Sequence, residues 1–215
     1  MRTVPILADM YYHVYNRGNQ KQTLFLDRAD YVRFLYLLLY FQSNHVIPQT
    51  HRQVAHFVRE GSFCVKESVY QDIVKERHVS LVNFCIMPNH YHLTLHALND
   101  TGLSQYMHRV GNAYAKYFNT KYEKTGHVFQ GSYKLKIIES DEQLLYTSAY
   151  IHKNPHELQQ WKGRYESYEW SSCIDYVGEN RWGALLHTDP IDSTFENKAE
   201  YRAFIKSSSA KEDIE

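Results

Sequence analysis

The feature that most constrains this chain is a change of hydrophobic period between residues 79 and 118. Val79 to Ile86 reads as a buried strand, with Val82, Phe84 and Ile86 on one side and Leu81 and Cys85 on the other. After the short connection Met87-Pro88-Asn89, Tyr91, Leu93 and Leu95 share one parity, and His90, His92, Thr94 and His96 share the other. That is the two-residue period of a strand with one apolar face, and it points both His90 and His92 off the core. Beyond Gly102 the period lengthens. Leu103, Met107, Val110, Tyr114 and Phe118 form one helical stripe, with Lys116 and Lys121 off it.

The flanking segments complete a pattern. Met10 to Tyr15 alternates and is rich in β-formers, followed by a turn at Asn16-Arg17-Gly18-Asn19. Asp27 can cap a helix in which Tyr31, Phe34, Leu35, Leu38 and Phe41 recur at helical spacing, ending near Gln42 to His45. The residues from about 45 to 77 have no clear period and read as an insertion. Tyr133 to Glu139 resembles a fourth strand, and Ser140 with Gln143 begins a third long helix as a capping box, ended by Pro155. With right-handed crossovers this order predicts an α+β fold. Its core is a ferredoxin-like four-stranded antiparallel sheet with helices on one face, and an additional helix carries Tyr150.

The 215 residues suffice for one compact domain with decorations. We expect a catalytic domain over residues 1–178 and an extension over 179–215, packed on it or partly disordered. No stretch approaches the roughly 20 apolar residues of a membrane span, and the run MRTVPILADM lacks the long apolar stretch expected of a secretory signal. Cys64, Cys85 and Cys173 form no CxxC pair, so a reducing, cytoplasmic setting is expected. A formal net charge of zero excludes a protein that holds nucleic acid by bulk electrostatics alone. The charge is nevertheless uneven: Arg109, Lys116, Lys121, Lys124, Lys134 and Lys136 face only Glu123 in their stretch. The 19 tyrosines and 13 histidines can stack on bases or contact phosphates.

Two histidines at i and i+2 on one strand face can ligate one metal, next to a loop that leaves a coordination position open. On the third helix Tyr146, Tyr150 and Asn154 lie near one face, with Lys153 beside them. A tyrosine with a pKa of about 10 is a weak nucleophile and needs a base or a cation nearby. The same residue types also serve purely structural ends: histidines alternate on many strands, and tyrosines pack helices onto sheets.

Four separated runs carry a family resemblance: Phe84 to Leu93 (FCIMPNHYHL), Gly126 to Lys134 (GHVFQGSYK), Tyr150 to Pro155 (YIHKNP) and Trp170-Ser171-Ser172. Together with Tyr12-His13-Val14 and Asn16-Arg17-Gly18-Asn19, they resemble the single-tyrosine HUH transposases of the IS200-like superfamily, specifically the REP-associated tyrosine transposase branch. The resemblance implies that His90 and His92 are the HUH histidines, Tyr150 the nucleophile, and Asn154 the third ligand of Mg²⁺ or Mn²⁺. It further implies cleavage of single-stranded DNA beside a hairpin, through a 5′-phosphotyrosine intermediate and a free 3′-hydroxyl. No small-molecule substrate or nucleotide cofactor is needed. DNA contacts are expected from Arg17, Arg109, Lys116, Lys134, Lys136 and Lys153, in a monomer or a homodimer. Two departures remove positive charge: Ser132 stands where the family often has Arg, and Pro155-His156-Glu157-Leu158 replaces a more basic tail. Two other readings use the same residues. One is a hairpin-binding protein of DNA or RNA without turnover, and the other is a metallohydrolase in which metal-activated water attacks.

Overall fold

The computed structural model describes residues 5–46 and 49–208. Its centre is an antiparallel sheet of β1 (Met10–Arg17), β2 (Val79–Met87), β3 (His90–Ala97) and β4 (Lys134–Ile138), in the order β2-β3-β1-β4. β2 and β3 form a tight hairpin around Pro88-Asn89, with Met87 opposite His90. β1 enters beside β3, with Tyr15 opposite His92 and His13 opposite Thr94. This is the expected ferredoxin-like topology. Every residue of β2 is buried, so the strand is covered on both faces.

One face carries α1 (Arg28–Tyr40). The Asp27 side chain accepts from the Asp30 backbone, and the Asp30 side chain accepts from the Asp27 backbone, a reciprocal cap that fixes where the helix starts. Sequence periodicity assigns α1 a single apolar stripe, but Val32 and every residue from Phe34 to Tyr40 are buried. The reason is the insertion, which folds into α2 (Thr50–Glu60) and α3 (Glu67–Lys75) and covers α1. Phe63, between them, meets Tyr36 at 5.2 Å and Phe57 at 4.5 Å between ring centroids. The same face holds α4 (Gly102–Lys121), whose stripe Leu103, Met107, Val110, Tyr114 and Phe118 is wholly buried as its spacing predicts.

Asp30 is fully buried where α1 meets α4. Its carboxylate accepts from Lys121 Nζ (2.7 Å), Tyr122 OH (2.7 Å), Tyr117 OH (2.8 Å) and the Leu26 backbone (2.8 Å). Burial alone pushes this carboxyl up, but the hydrogen bonds outweigh it and hold it below the usual carboxylate range. Asp30→Ala removes the acceptor shared by Lys121, Tyr117, Tyr122 and the helix cap, while Lys121 keeps Asp27 at 2.7 Å, and we expect it to cost about 2 to 3 kcal/mol. Chemical denaturation should show this as a lower midpoint at unchanged slope.

The opposite face carries α5 (Asp141–Lys153), capped by the Ser140 side chain accepting from Gln143 N at 3.1 Å. Around it lie α6 (Cys173–Val177), α7 (Asp189–Asp192) and α8 (Lys198–Ser207). A second apolar cluster forms here from Ile138, Leu144, Ala149, Cys173, Tyr176, Ile191, Tyr201 and Ile205. Residues 179–208 thus pack against α5 and α6 through Ile191, Tyr201 and Ile205, and 209–215 lie outside the described residues. Trp170-Ser171-Ser172 runs beside β2, where Ile86 N donates to Trp170 O (2.9 Å) and Ser172 N to Phe84 O (2.9 Å). Among the described residues the cysteines are free, and no helix is long and apolar enough to cross a membrane.

Candidate metal and nucleophile site

The turn before β3 is clamped from outside the hairpin. Leu24 N (2.8 Å) and Phe25 N (3.1 Å) donate to Pro88 O, and Gly18 N donates to Asn89 O (2.8 Å). Asn89 Nδ2 donates to Lys21 O (3.3 Å), which turns its Oδ1 toward His90 Nδ1 at 2.7 Å. His90 therefore donates from Nδ1, and in the neutral ring Nε2 keeps its lone pair. That nitrogen lies 3.4 Å from Asn154 Oδ1. The Asn154 amide is oriented in turn, because its Nδ2 donates to the Tyr150 carbonyl at 2.9 Å. A nitrogen lone pair and an amide oxygen thus face each other, an arrangement that a shared cation resolves.

His92 lies two residues on, with its ring centroid 5.2 Å from that of His90. It points off the α1/α4 core as predicted, but it is only 7% exposed because α5 covers it. Burial, followed by the neighbouring His13, His90 and Arg17, pushes its pKa well below the ordinary value, which favours the neutral imidazole. Tyr150 reaches the same place from α5, its ring edge-on to His92 at 5.4 Å and to His13 at 5.9 Å. Tyr146, one turn earlier, is 41% exposed and packs on Phe204 instead.

α5 is held on the sheet by a buried polar chain. His152 Nε2 meets Ser172 Oγ at 2.9 Å, Tyr201 OH meets His152 Nδ1 at 2.7 Å, and Ser148 Oγ meets Tyr201 OH at 2.6 Å. Burial lowers the His152 pKa to about 3, so the ring is neutral and pairs with both hydroxyls without a stranded charge.

His90, His92, Tyr150 and Asn154 line a cleft of about 470 Å³, which His13, Tyr15 and Gln130 also line together with the exposed Arg17, Lys134 and Glu157. Sequence reasoning missed His13, Gln130 and Glu157. Only the parity of His13, on the polar side of β1, hinted at it. Among the described residues no group of three His, Cys, Asp or Glu is placed to hold a metal, so the donor set here is two imidazoles and one amide oxygen. Such a set fits a divalent cation with coordination positions left open, held more weakly than by carboxylates.

The other expected DNA-contacting cations are dispersed. Lys136 sits half-buried on β4, two residues beyond Lys134, and Lys116 is exposed on α4 away from the cleft. Arg109 is occupied: its guanidinium donates to Ser43 O and lies 4.8 Å from the centre of the Phe41 ring. Lys153 Nζ donates to Ser208 O at 2.6 Å, tying the end of α5 to the end of α8.

A family model described as "Transposase IS200 like" matches residues 39–154, more than half of the chain. The chain belongs to this family of IS200-like transposases. Among solved structures it is similar to a REP-associated tyrosine transposase bound to a REP hairpin, with a TM-score of 0.53 and 13% identity. That match covers 89% of this chain and 93% of the other, and at this identity the likeness is one of fold. No curated protein matches the sequence.

Proposed function

We propose that this protein is a single-strand DNA nickase and strand transferase of the REP-associated type, acting beside a hairpin through Tyr150. The observation that carries this reading is the meeting, in one cleft, of the Tyr150 ring with His92 (5.4 Å between centroids) and of His90 with Asn154 (3.4 Å). The phenolic oxygen of Tyr150 attacks a DNA phosphorus; an O–P bond forms, the P–O3′ bond breaks, and the phenolic proton ends on the departing 3′-oxygen. The product is a 5′-phosphotyrosine with a free 3′-hydroxyl, and attack of a 3′-hydroxyl on that phosphorus reverses the step and rejoins strands. His90, His92 and Asn154 would hold Mg²⁺ or Mn²⁺, which when bound would supply Lewis-acid stabilisation of the charge that develops on the phosphate oxygens. Arg17 and Lys134, exposed on the cleft lining, draw in and orient the phosphodiester. His152 and Tyr201 keep α5 seated, so that the nucleophile needs little reorganisation on binding.

The deciding experiment incubates the protein with a 5′-extended hairpin oligonucleotide and Mn²⁺, then resolves the products under denaturing conditions. We expect a covalent protein–DNA adduct. Free hydrolysed ends would move the reading to a metal-activated water, and a bandshift without cleavage would move it to a hairpin-binding protein.

A further inference from the structure

His92 can ligate through Nε2 only if that nitrogen carries no proton, and a neutral imidazole must then carry its proton on Nδ1. What lies at Nδ1 therefore decides whether His92 is a ligand. The group there is His13, from a strand 79 residues earlier, with its Nε2 2.9 Å from His92 Nδ1. The register explains the reach: His13 lies opposite Thr94, and His92 is its diagonal neighbour across the β1–β3 pair, within range of two rings on one sheet face. His13 is 3% exposed, stacked on Tyr15 at 4.9 Å and on His92 at 5.1 Å, with the Tyr150 ring edge-on to it. Packing on several sides fixes its ring plane, so its Nε2 and the Nδ1 of His92 stay in contact.

Two neutral proton arrangements fit this contact. In one, His92 donates from Nδ1 to His13 Nε2, and His92 Nε2 presents a lone pair to the cleft. In the other, His13 donates, His92 carries its proton on Nε2, and ligation is blocked. We propose that His13 is a positioning residue that accepts the Nδ1 hydrogen of His92 and so holds it in the one tautomer able to bind a divalent cation. Like the proposed function, this rests on His92 being a ligand. Its own support is geometric: His13 Nε2 is the group placed against His92 Nδ1, at 2.9 Å, in a ring held by stacking on Tyr15 and His92. His13 Nδ1 has no hydrogen-bond partner among the described residues, so the contact with His92 at Nε2 is the one hydrogen bond that orients the His13 ring. Histidine ligands elsewhere are oriented by a carboxylate, a carbonyl or water; here a second imidazole fills that place, at no cost in buried charge.

The test uses the full chain and Mn²⁺ as probe. In metal-free wild type, nitrogen-15 NMR of the ring nitrogens should show His92 as the Nδ1–H tautomer. His13→Phe, which keeps the ring stack but has no acceptor, should weaken Mn²⁺ binding 10- to 100-fold by electron paramagnetic resonance titration. His13→Gln, whose side-chain oxygen can accept, should recover most of that loss. Unchanged Mn²⁺ affinity in His13→Phe, or an Nε2–H tautomer of His92 in the wild type, would overturn the proposal. If His13→Phe does not fold, the wild-type tautomer and the Gln variant still decide. Should wild type bind no Mn²⁺ at all, the proposed function fails, while the tautomer measurement still judges the His13 contact.

Discussion

Tyr150→Phe abolishes the covalent protein–DNA adduct and leaves affinity for the hairpin within about twofold. The substitution removes one oxygen and keeps the ring, which is 8% exposed and edge-on to His92 and His13, so the cleft walls stay in place. A near-isosteric change of this kind should shift stability by less than about 1.5 kcal/mol. Loss of a nucleophile has no such tolerance, and nicking should fall by at least roughly a thousandfold. Tyr146 cannot substitute, because it lies one turn away against Phe204 and outside the cleft. Tyr146→Phe is therefore the matched control, with nicking unchanged. Adduct formation by Tyr150→Phe, or loss of nicking in Tyr146→Phe alone, would contradict the assignment of the nucleophile.

The second large effect separates the two histidines. His90→Ala should reduce Mn²⁺ affinity at least about 100-fold and eliminate nicking, with little change in thermal stability, because the ring is only part-buried and its partner Asn89 remains tied to Lys21. His92→Ala should lose metal and activity alike, and in addition destabilise the fold by about 2 to 4 kcal/mol. It empties a buried site under α5 and leaves His13 Nε2, itself 3% exposed, with no partner in that direction. Calorimetry on both metal-free variants reads the difference directly. Chelation of the wild type should reproduce the activity loss without the stability loss, and equal melting temperatures for the two variants would show that His92 is not buried as described.

Much of the architecture is readable from short-range patterns. The α4 stripe, the parity of His90 and His92, and the caps at Asp27 and Ser140 all depend on residues one to four positions apart, and each appears in the structure where the spacing puts it. Tyr150 and Asn154 are one helical turn apart, so their shared approach to the cleft was also written locally. The insertion was opaque for the opposite reason. α2 and α3 are short, and the purpose of the segment is visible only from the apolar side of α1, which Phe63 meets at Tyr36 while packing on Phe57 of α2.

Local spacing by itself determined the elements, the side of each strand that faces a core, and the placement of Asn154 one helical turn beyond Tyr150. Only the tertiary structure decided that β1 lies beside β3 in the register that sets His13 against His92, that Arg109 and Lys153 are occupied by carbonyls, and that His152 and Tyr201 seat α5. Those contacts join residues from 49 to 79 positions apart. Period and capping act over one or two turns of chain, whereas which distant side chains meet is set by how whole surfaces bury one another, and no single segment carries that information.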